Sequence, residues 1–236
     1  LLAGTLSAQT PVPEWQAGVD KMKSLIQTNP AQASEEVGEL LKGKNKKNVD
    51  LVTSVAHVYL DAGKLTEAQE YLAMAKKANN KDPKVSVLEG DIALAQKNIG
   101  QACQLYEQAI YFDPNCKEAY LKYAQAYKSA SPALAIEKLE QLKAVDPNCL
   151  EADRELAEVY YSSNRFGKAA EMYAKFIDTP LATEDDMLKY AFALFLNHDF
   201  EKSLQVAQKG LQKNARHAAF NRLVMYNNTC LLYTSP

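Results

Sequence analysis

Apolar residues recur along this chain at the spacing of an amphipathic helix, and the helical segments come in adjoining pairs. In the pair that begins near residue 49, Val55, Tyr59 and Ala62 share one stripe of the first helix, and the second helix has a stripe of its own. The members of the second stripe are Ala68, Leu72 and Ala75. One such pair cannot bury its apolar stripe alone, so neighbouring pairs are expected to stack and share a core. The pattern predicts an all-α fold.

A small residue that follows a turn and opens a helix recurs at nearly constant spacing. Its five occurrences are Ala68, Ala102, Ala135, Ala169 and Ser203. The four steps between them are equal except for the second, which is one position shorter, and a fixed period of this length indicates a repeat protein. The pattern predicts five units, at residues 49–82, 83–116, 117–149, 150–183 and 184–217. The third unit has lost one residue in its internal turn.

Weaker helical patterns flank these five units. Residues 14–48 are interpreted as a degenerate helix pair that is broken at Asn29-Pro30, because proline cannot continue a helix interior. Residues 218–229 are predicted to be the first helix of a sixth, truncated unit.

The two ends of the chain are predicted to lie outside the fold. Leu1–Thr10 has apolar and then small residues, which is typical of the last part of a secretory signal. We interpret residues 1–9 as its remnant, which predicts an exported, periplasmic protein of a bacterium. Cys230–Pro236, the stretch CLLYTSP, has no helical period and resembles a sequencing-adapter scar. Residues 230–236 are therefore predicted to be a non-native tail.

The stretch Asp-Pro-Asn-Cys occurs twice, at Asp113–Cys116 and at Asp146–Cys149. Two cysteines in matched settings suggest half of a metal or redox site. A zinc site needs close ligand pairs such as C-x2–4-C. A disulfide needs Cα atoms within about 7 Å, whereas successive packed helices lie about 8–10 Å apart. Because aspartate, proline and asparagine favour turns and helix ends, we interpret both copies as joins between units and predict no metal site.

The repeat resembles the tetratricopeptide repeat, a unit of about 34 residues with small, aromatic and proline residues at set offsets. The second unit carries the resemblance through Gly90, Ala102, Tyr106, Ala109 and Pro114. The fourth carries it through Leu156, Ala157, Tyr160, Phe166, Ala169 and Tyr173. The resemblance implies an α-solenoid, a right-handed superhelix of antiparallel helix pairs. It also implies a non-catalytic scaffold that binds a protein or peptide in a concave groove, which the first helix of each pair lines.

The resemblance further implies which side chains face that groove. The polar ones are His57, Asp91, Gln125, Lys128, Arg154 and Glu158, and the apolar ones are Leu188, Phe192, Phe195 and Leu196. Lysine and asparagine do not occupy the offsets that grip the acidic C-termini of heat-shock chaperones, so that carboxylate clamp is not expected.

The fifth unit differs from the others in its apolar character. Its stretch MLKYAFALFLNHDF is apolar nearly all round the helix, which is typical of a helix buried on more than one side. Its groove residues therefore either form an apolar binding patch or pack against neighbouring units.

Composition and charge narrow the function further. The net charge of −2 and the pI of about 6.0 argue against nucleic-acid binding, which normally shows a basic face. No apolar run reaches the roughly 18–20 residues of a membrane span. No phosphate loop, H-E-x-x-H or G-x-S-x-G pattern occurs in the sequence, so neither a catalytic site nor a cofactor is predicted. Two alternatives stay open: a structural subunit of a cell-envelope complex that self-associates, and a helical accessory region of a larger enzyme.

Overall fold

The computed structural model of the chain describes residues 12–234, and these residues form thirteen α-helices and one 3-10 helix without a strand. The helices are α1 Gln16–Leu25, α2 Pro30–Leu40, the 3-10 helix Gly43–Lys47, α3 Val49–Asp61, α4 Leu65–Ala78, α5 Pro83–Ala95, α6 Ile99–Phe112, α7 Lys117–Tyr127, α8 Pro132–Val145, α9 Leu150–Ser162, α10 Phe166–Phe176, α11 Glu184–Leu196, α12 Phe200–Lys213 and α13 Ala218–Thr234. The predicted signal remnant, residues 1–9, lies outside the described residues.

The described residues divide into two compact regions, an N-terminal half that ends at Phe112 and a C-terminal half that begins at Asp113. In each half, helices that are consecutive in sequence pack as pairs, such as α5 on α6 and α9 on α10. First helices of successive pairs also touch, α3 on α5 in the N-terminal half and α7 on α9 in the C-terminal half. The predicted fold class, an all-α solenoid of stacked helix pairs, is confirmed.

Small residues let the two helices of each pair approach closely. The first helices contribute Ala56, Gly90, Ala124, Ala157 and Ala191, and the second helices contribute Ala68, Ala102, Ala135, Ala169 and Ser203; all ten are buried. At Gly90 the two helices are so close that a Cβ atom would lie 2.5 Å from Cε1 of Tyr106. Large side chains fill the space beside the small ones, and Tyr106, Tyr173 and Phe176 are fully buried. The period of the repeat is thus the period of close helix contact.

Left-handed backbone marks the turn inside four of the five pairs. The residues are Gly63 (φ 74°), Lys97 (φ 63°), Asn164 (φ 58°) and His198 (φ 64°). Each stands two residues before the second helix of its pair. Among the described residues, the turn between α7 and α8 has no such residue, and this is the turn that is one residue short. Lysine and histidine pay a steric penalty of about 1 kcal/mol in this conformation, which glycine avoids.

The two Asp-Pro-Asn-Cys stretches form matched turns at the start of α7 and α9. The Asp113 carboxylate accepts a hydrogen bond from the backbone N–H of Asn115 at 2.9 Å, and Asp146 accepts one from Asn148 at 3.2 Å. Cys116 and Cys149 then occupy the N-cap positions. All four cysteines lie in the described part of the chain, and none of them is in a disulfide. Burial raises the pKa of the Cys149 thiol, which leaves it a poor nucleophile.

The last helix is longer than the sequence pattern predicted. α13 continues through Thr234 instead of ending at Thr229, because residues 230–234 contain neither glycine nor proline to stop it. Leu231 lies beside His198, Asp199, Phe200 and Glu201, at a cavity of about 500 Å³. The interpretation of residues 230–236 as a non-native tail stays a prediction.

Candidate partner-binding surface

In the N-terminal half, the first helices α3 and α5 bring His57 and Asp91 together. Nε2 of His57 lies 3.1 Å from Oδ2 of Asp91, and the Tyr106 hydroxyl donates to Oδ1 of Asp91 at 2.7 Å. The other ring nitrogen of His57 lies 2.9 Å from the backbone oxygen of Thr53. Only 7% of the Asp91 side chain is exposed. This carboxylate therefore ties α3, α5 and α6 to one another, and His57 is the more exposed member of the group.

In the C-terminal half, the first helices carry a larger polar group centred on Glu158. Lys189 donates to both carboxylate oxygens of Glu158 at 3.0 Å, the Tyr173 hydroxyl donates to Oε1 at 2.7 Å, and Lys128 approaches Oε2 at 3.4 Å. We call this group the Glu158 network. Its remaining members are Gln125, Glu155 and Asp185. Nε2 of Gln125 donates to Oε1 of Glu155 at 2.9 Å, and Nζ of Lys128 lies 4.0 Å from Oε2 of Glu155. Nζ of Lys189 lies 2.8 Å from Oδ2 of Asp185.

The electrostatics of the Glu158 network favour the charged form of its central carboxylate. Burial by itself raises the pKa of Glu158, but the hydrogen bonds from Tyr173 and Lys189 and the charges of Lys128 and Lys189 hold that pKa below its ordinary value. Burial and the bond to Glu158 raise the pKa of the Tyr173 hydroxyl. Glu158 is thus a carboxylate at neutral pH, with two half-buried ammonium groups beside it.

Arg154 is held apart from this network by its own partner. Its Nε and Nη2 atoms lie 3.1 and 3.0 Å from the two carboxylate oxygens of Asp186. Asp186 is buried and also closes a capping box with Thr183 at the start of α11. This two-point pairing joins α9 to α11 and leaves the guanidinium group little freedom to bind another carboxylate.

The four apolar residues predicted on α11 divide between packing and exposure. Leu188, Phe192 and Phe195 are partly buried against a cluster that includes Met187, Phe220 and Leu223. The Phe195 ring lies 5.5 Å from that of Phe200 and 6.3 Å from that of Tyr226. Leu196, by contrast, is 44% exposed. Three of the four therefore contribute to the core of the C-terminal half, and Leu196 is the accessible one.

Sequence reasoning missed several residues of this surface. Tyr226, which is 52% exposed, stands on α13 one full repeat beyond Phe192, and Arg222 stands one full repeat beyond Leu188. Carrying the repeat offsets one helix further would have found both. Lys189 and Glu155 have no such signal, because they lie at offsets that the resemblance does not assign to the groove.

Neither a metal-binding cluster nor a membrane-spanning helix occurs among the described residues. Between positions 12 and 234, no cluster of three or more His, Cys, Asp or Glu side chains is placed to bind a metal ion. Over the same positions, no helix combines the length and the apolar character that a membrane crossing requires.

Solved structures with a similar fold include several helical-repeat proteins. PilW, described as a widely conserved type IV pilus biogenesis factor, superposes with a TM-score of 0.66 at 16% identity, over 91% of this chain and 100% of that chain. The pilF protein of Pseudomonas aeruginosa superposes with a TM-score of 0.64 at 16% identity, over 88% of this chain and 95% of that chain. YrrB, described as a TPR protein with an unusual peptide-binding site, superposes with a TM-score of 0.57 at 14% identity, over 78% of this chain and 95% of that chain. At these identities the likeness concerns the fold alone.

Sequence comparison identifies the repeat itself. No curated protein matches the chain. A family model described as Tetratricopeptide repeat matches residues 55–117 and 125–182, which together make up just over half of the chain. These two stretches include the close-contact residues Ala68, Ala102, Ala135 and Ala169. The chain therefore belongs to the tetratricopeptide repeat family.

Proposed function

We propose that this protein is a non-catalytic scaffold that binds a protein or peptide on the first-helix surface of its C-terminal half. Proteins of this repeat family bind protein or peptide partners, and the fold suits that role in general. The observation that carries the proposal is the combination of the Glu158 network with two exposed apolar side chains, Leu196 and Tyr226, on helices of the same half.

The two parts of this surface would contribute differently to binding. Leu196 and Tyr226 are 44% and 52% exposed, so a partner that covers them gains apolar burial, and tyrosine is among the residues that dominate binding energies. The Glu158 network already pairs its charges internally. It can therefore offer directed hydrogen bonds to a partner without leaving an isolated charge buried.

Selection of peptides on the whole chain tests this proposal. A random peptide library displayed on phage is panned on the immobilised protein, and the affinity of the selected peptides is measured by titration calorimetry. Leu196→Asp and Tyr226→Ala are each expected to weaken binding by about tenfold or more, as buried anchors do. The matched controls Leu134→Asp, on the second helix α8, and Tyr111→Ala, on α6, replace exposed residues of the same types and should have little effect. Selected peptides that lose affinity only with the controls, or a library that yields no binder, would refute the proposal.

The place of action is part of the same proposal. The apolar and small residues of Leu1–Thr10 support export to the bacterial periplasm, and one protein of similar fold is described as a pilus biogenesis factor. Osmotic-shock fractionation of the source cells, followed by detection with a specific antibody, should recover the protein in the periplasmic fraction. Recovery with cytosolic marker enzymes would contradict this part of the proposal and leave the binding role standing.

Self-association stays the alternative prediction. Sedimentation velocity over a range of concentrations distinguishes the two. A monomer at all concentrations is expected for the scaffold, whereas a stable oligomer that Tyr226→Ala disrupts would favour an assembly subunit.

A further inference from the structure

The charges of this chain are distributed unevenly along the sequence. All 29 acidic residues and 22 of the 27 lysines and arginines precede Lys202. Residues 1–201 therefore carry a formal charge of −7, and residues 202–236 carry +5 without a single acidic side chain. The net charge of −2 conceals this difference, and charge asymmetry of this kind bears on the choice of partner.

Two of the five cations in this last stretch have partners in the fold. Lys202 pairs with Asp199 at 2.9 Å, and Lys209 forms an ion pair with Asp178. The other three are Lys213, Arg216 and Arg222; all are exposed, and among residues 12–234 they take part in no ion pair. We call these three side chains the basic patch. They lie at the end of α12, in the following turn and near the start of α13.

The turn that carries Arg216 is held in place from both sides. The Asn221 side-chain amide donates to the backbone oxygens of Ala215 and His217, each at 3.2 Å. The centre of the His217 ring lies 4.7 Å from that of Phe220, which is fully buried. Nε2 of His217 lies 3.9 Å from Oε1 of Glu184. The turn is thus ordered before any partner arrives, which lowers the entropic cost of binding there.

An exposed aromatic side chain stands next to the basic patch. Tyr226 follows Arg222 by four positions on α13, so the two side chains lie on the same face of that helix, one turn apart. Both occupy offsets of the first-helix surface, since each lies one full repeat beyond a predicted groove residue of α11, Phe192 for Tyr226 and Leu188 for Arg222. The patch and the apolar part of the proposed binding surface are therefore continuous on α13.

We infer that the partner segment is acidic: a short polypeptide whose carboxylates bind Arg216 and Arg222 and whose aromatic or aliphatic side chain packs on Tyr226. The inference rests on the proposed function and specifies its partner. The arginine guanidinium group matches a carboxylate with two parallel hydrogen bonds. Exposed cations that form no ion pair within the fold also attract a partner of opposite charge and orient it.

A short acidic segment fits this surface better than a long polyanion. Nucleic acid and anionic membranes are bound by extended basic faces that contact many phosphates, whereas this patch has three cations and residues 113–201 of the same half carry a formal charge of −6. A polyanion that extends past α13 over this half would meet that negative charge. The three cations between Lys213 and Arg222 can instead bind a small number of carboxylates.

The test uses the whole chain and synthetic probes in fluorescence anisotropy. One probe is a fluorescein-labelled peptide of glutamates with one phenylalanine and one leucine, and the second replaces every glutamate by lysine. The test variant is Arg216→Glu with Arg222→Glu, and the matched control is Lys46→Glu with Lys47→Glu, which alters the net charge equally at two exposed lysines of the N-terminal half. Glutamate suits the first turns of a helix, and a milder Arg216→Gln with Arg222→Gln variant guards against misfolding, checked by circular dichroism.

The expected result is that the parent binds the acidic peptide and not the lysine peptide. Arg216→Glu with Arg222→Glu should weaken that binding by about tenfold or more, the size expected for close charge pairs, while the control changes it by less than about twofold. The double glutamine variant should fall between. Tyr226→Ala should weaken binding of the acidic peptide as well.

Three results would overturn this inference. These are no binding of the acidic peptide to the parent, an equal loss in the control variant, and tighter binding of single-stranded RNA or phosphatidylglycerol vesicles that depends on the same arginines. If library-selected peptides need Leu196 and Tyr226 but are not acidic, the proposed function stands and the acidic partner is wrong. If no selected peptide binds at all, the proposed function itself fails.

Discussion

The two halves of this molecule make the same hydrogen bond and use it differently. In the N-terminal half the Tyr106 hydroxyl donates to Asp91, and in the C-terminal half the Tyr173 hydroxyl donates to Glu158; both bonds are 2.7 Å long and span 15 residues. Asp91 is 7% exposed and pairs with one histidine, whereas Glu158 is 18% exposed and pairs with two lysines. One additional methylene group carries the carboxylate from the interior towards the surface.

The residue before each carboxylate explains part of this difference. Gly90 precedes Asp91, and its missing Cβ lets the Tyr106 ring come close enough to reach the shorter side chain. Ala157 precedes Glu158 at the equivalent position, and there the longer side chain makes up the distance. One repeat geometry therefore yields either an internal cross-link or a partly exposed charged group, depending on two adjacent residues.

The largest effect on stability should come from adding a Cβ atom at Gly90, where the Tyr106 ring fills the space. Gly90→Ala is expected to lower the free energy of unfolding by about 1–3 kcal/mol, because the new methyl group forces Tyr106 away from Asp91. Urea denaturation followed by circular dichroism measures this change. Gly38→Ala is the control, since nothing lies within 4 Å of a Cβ at that helical position, and it should stabilise by about 0.5–1 kcal/mol. Similar values for both variants would show that Gly90 is not needed for the contact.

Removing each tyrosine hydroxyl compares the two bonds directly. Tyr106→Phe should cost about 1–3 kcal/mol of unfolding free energy, because it removes a donor from a carboxylate that has little access to water. Tyr173→Phe should cost less, about 1 kcal/mol, since Lys128 and Lys189 still contact Glu158. Tyr111→Phe, on an 83% exposed ring, serves as the control. Equal losses at Tyr106 and Tyr173 would contradict the difference in burial drawn above.

The pH dependence of stability should separate the Glu158 network from ordinary surface carboxylates. The folded pKa of Glu158 lies below its ordinary value of 4.5, so its contribution is complete above that value and is lost as the pH falls through the lower folded pKa. Glu158→Gln should therefore reduce stability at pH 7 and have little effect near pH 2. We expect a change of about 1 kcal/mol or less, as for partly exposed ion pairs. Glu118→Gln, on α7, is the control, and an equal pH dependence in both variants would count against the network.

The smallest effects are expected at the left-handed turns, where the halves again differ. Lys97→Gly should stabilise the N-terminal half by up to about 1 kcal/mol, because glycine accepts a positive φ without steric cost. Asn164→Gly should change the C-terminal half less, since asparagine tolerates this conformation. Thermal unfolding of the two variants gives the comparison. A loss of stability in Lys97→Gly would mean that the greater freedom of glycine in the unfolded chain outweighs the strain relieved.

The sequence predicted the helix pairs, but not which side chains of neighbouring first helices meet. His57 and Asp91 were assigned to the same surface, and the structure joins them through a contact between equivalent faces of neighbouring units. Leu188, Phe192 and Phe195 were left between two interpretations, and their partial burial against Phe220 and Leu223 depends on α13. Lys189, which contacts Glu158, was missed altogether, because it stands at an offset that the resemblance does not assign to the groove.

By itself the sequence determined the fold class and the repeat length, because close helix contact demands a small side chain at a fixed interval and that demand is visible in one dimension. The shortened third turn was visible for the same reason. Only the tertiary structure decided which polar groups meet. Glu158 contacts Lys128, Tyr173 and Lys189, which come from three separate segments of the chain. Because long side chains can reach several different partners, the sequence does not specify which contact forms. The tertiary structure also decided which cations stay unpaired, since pairing depends on reach across neighbouring helices rather than on position along the chain.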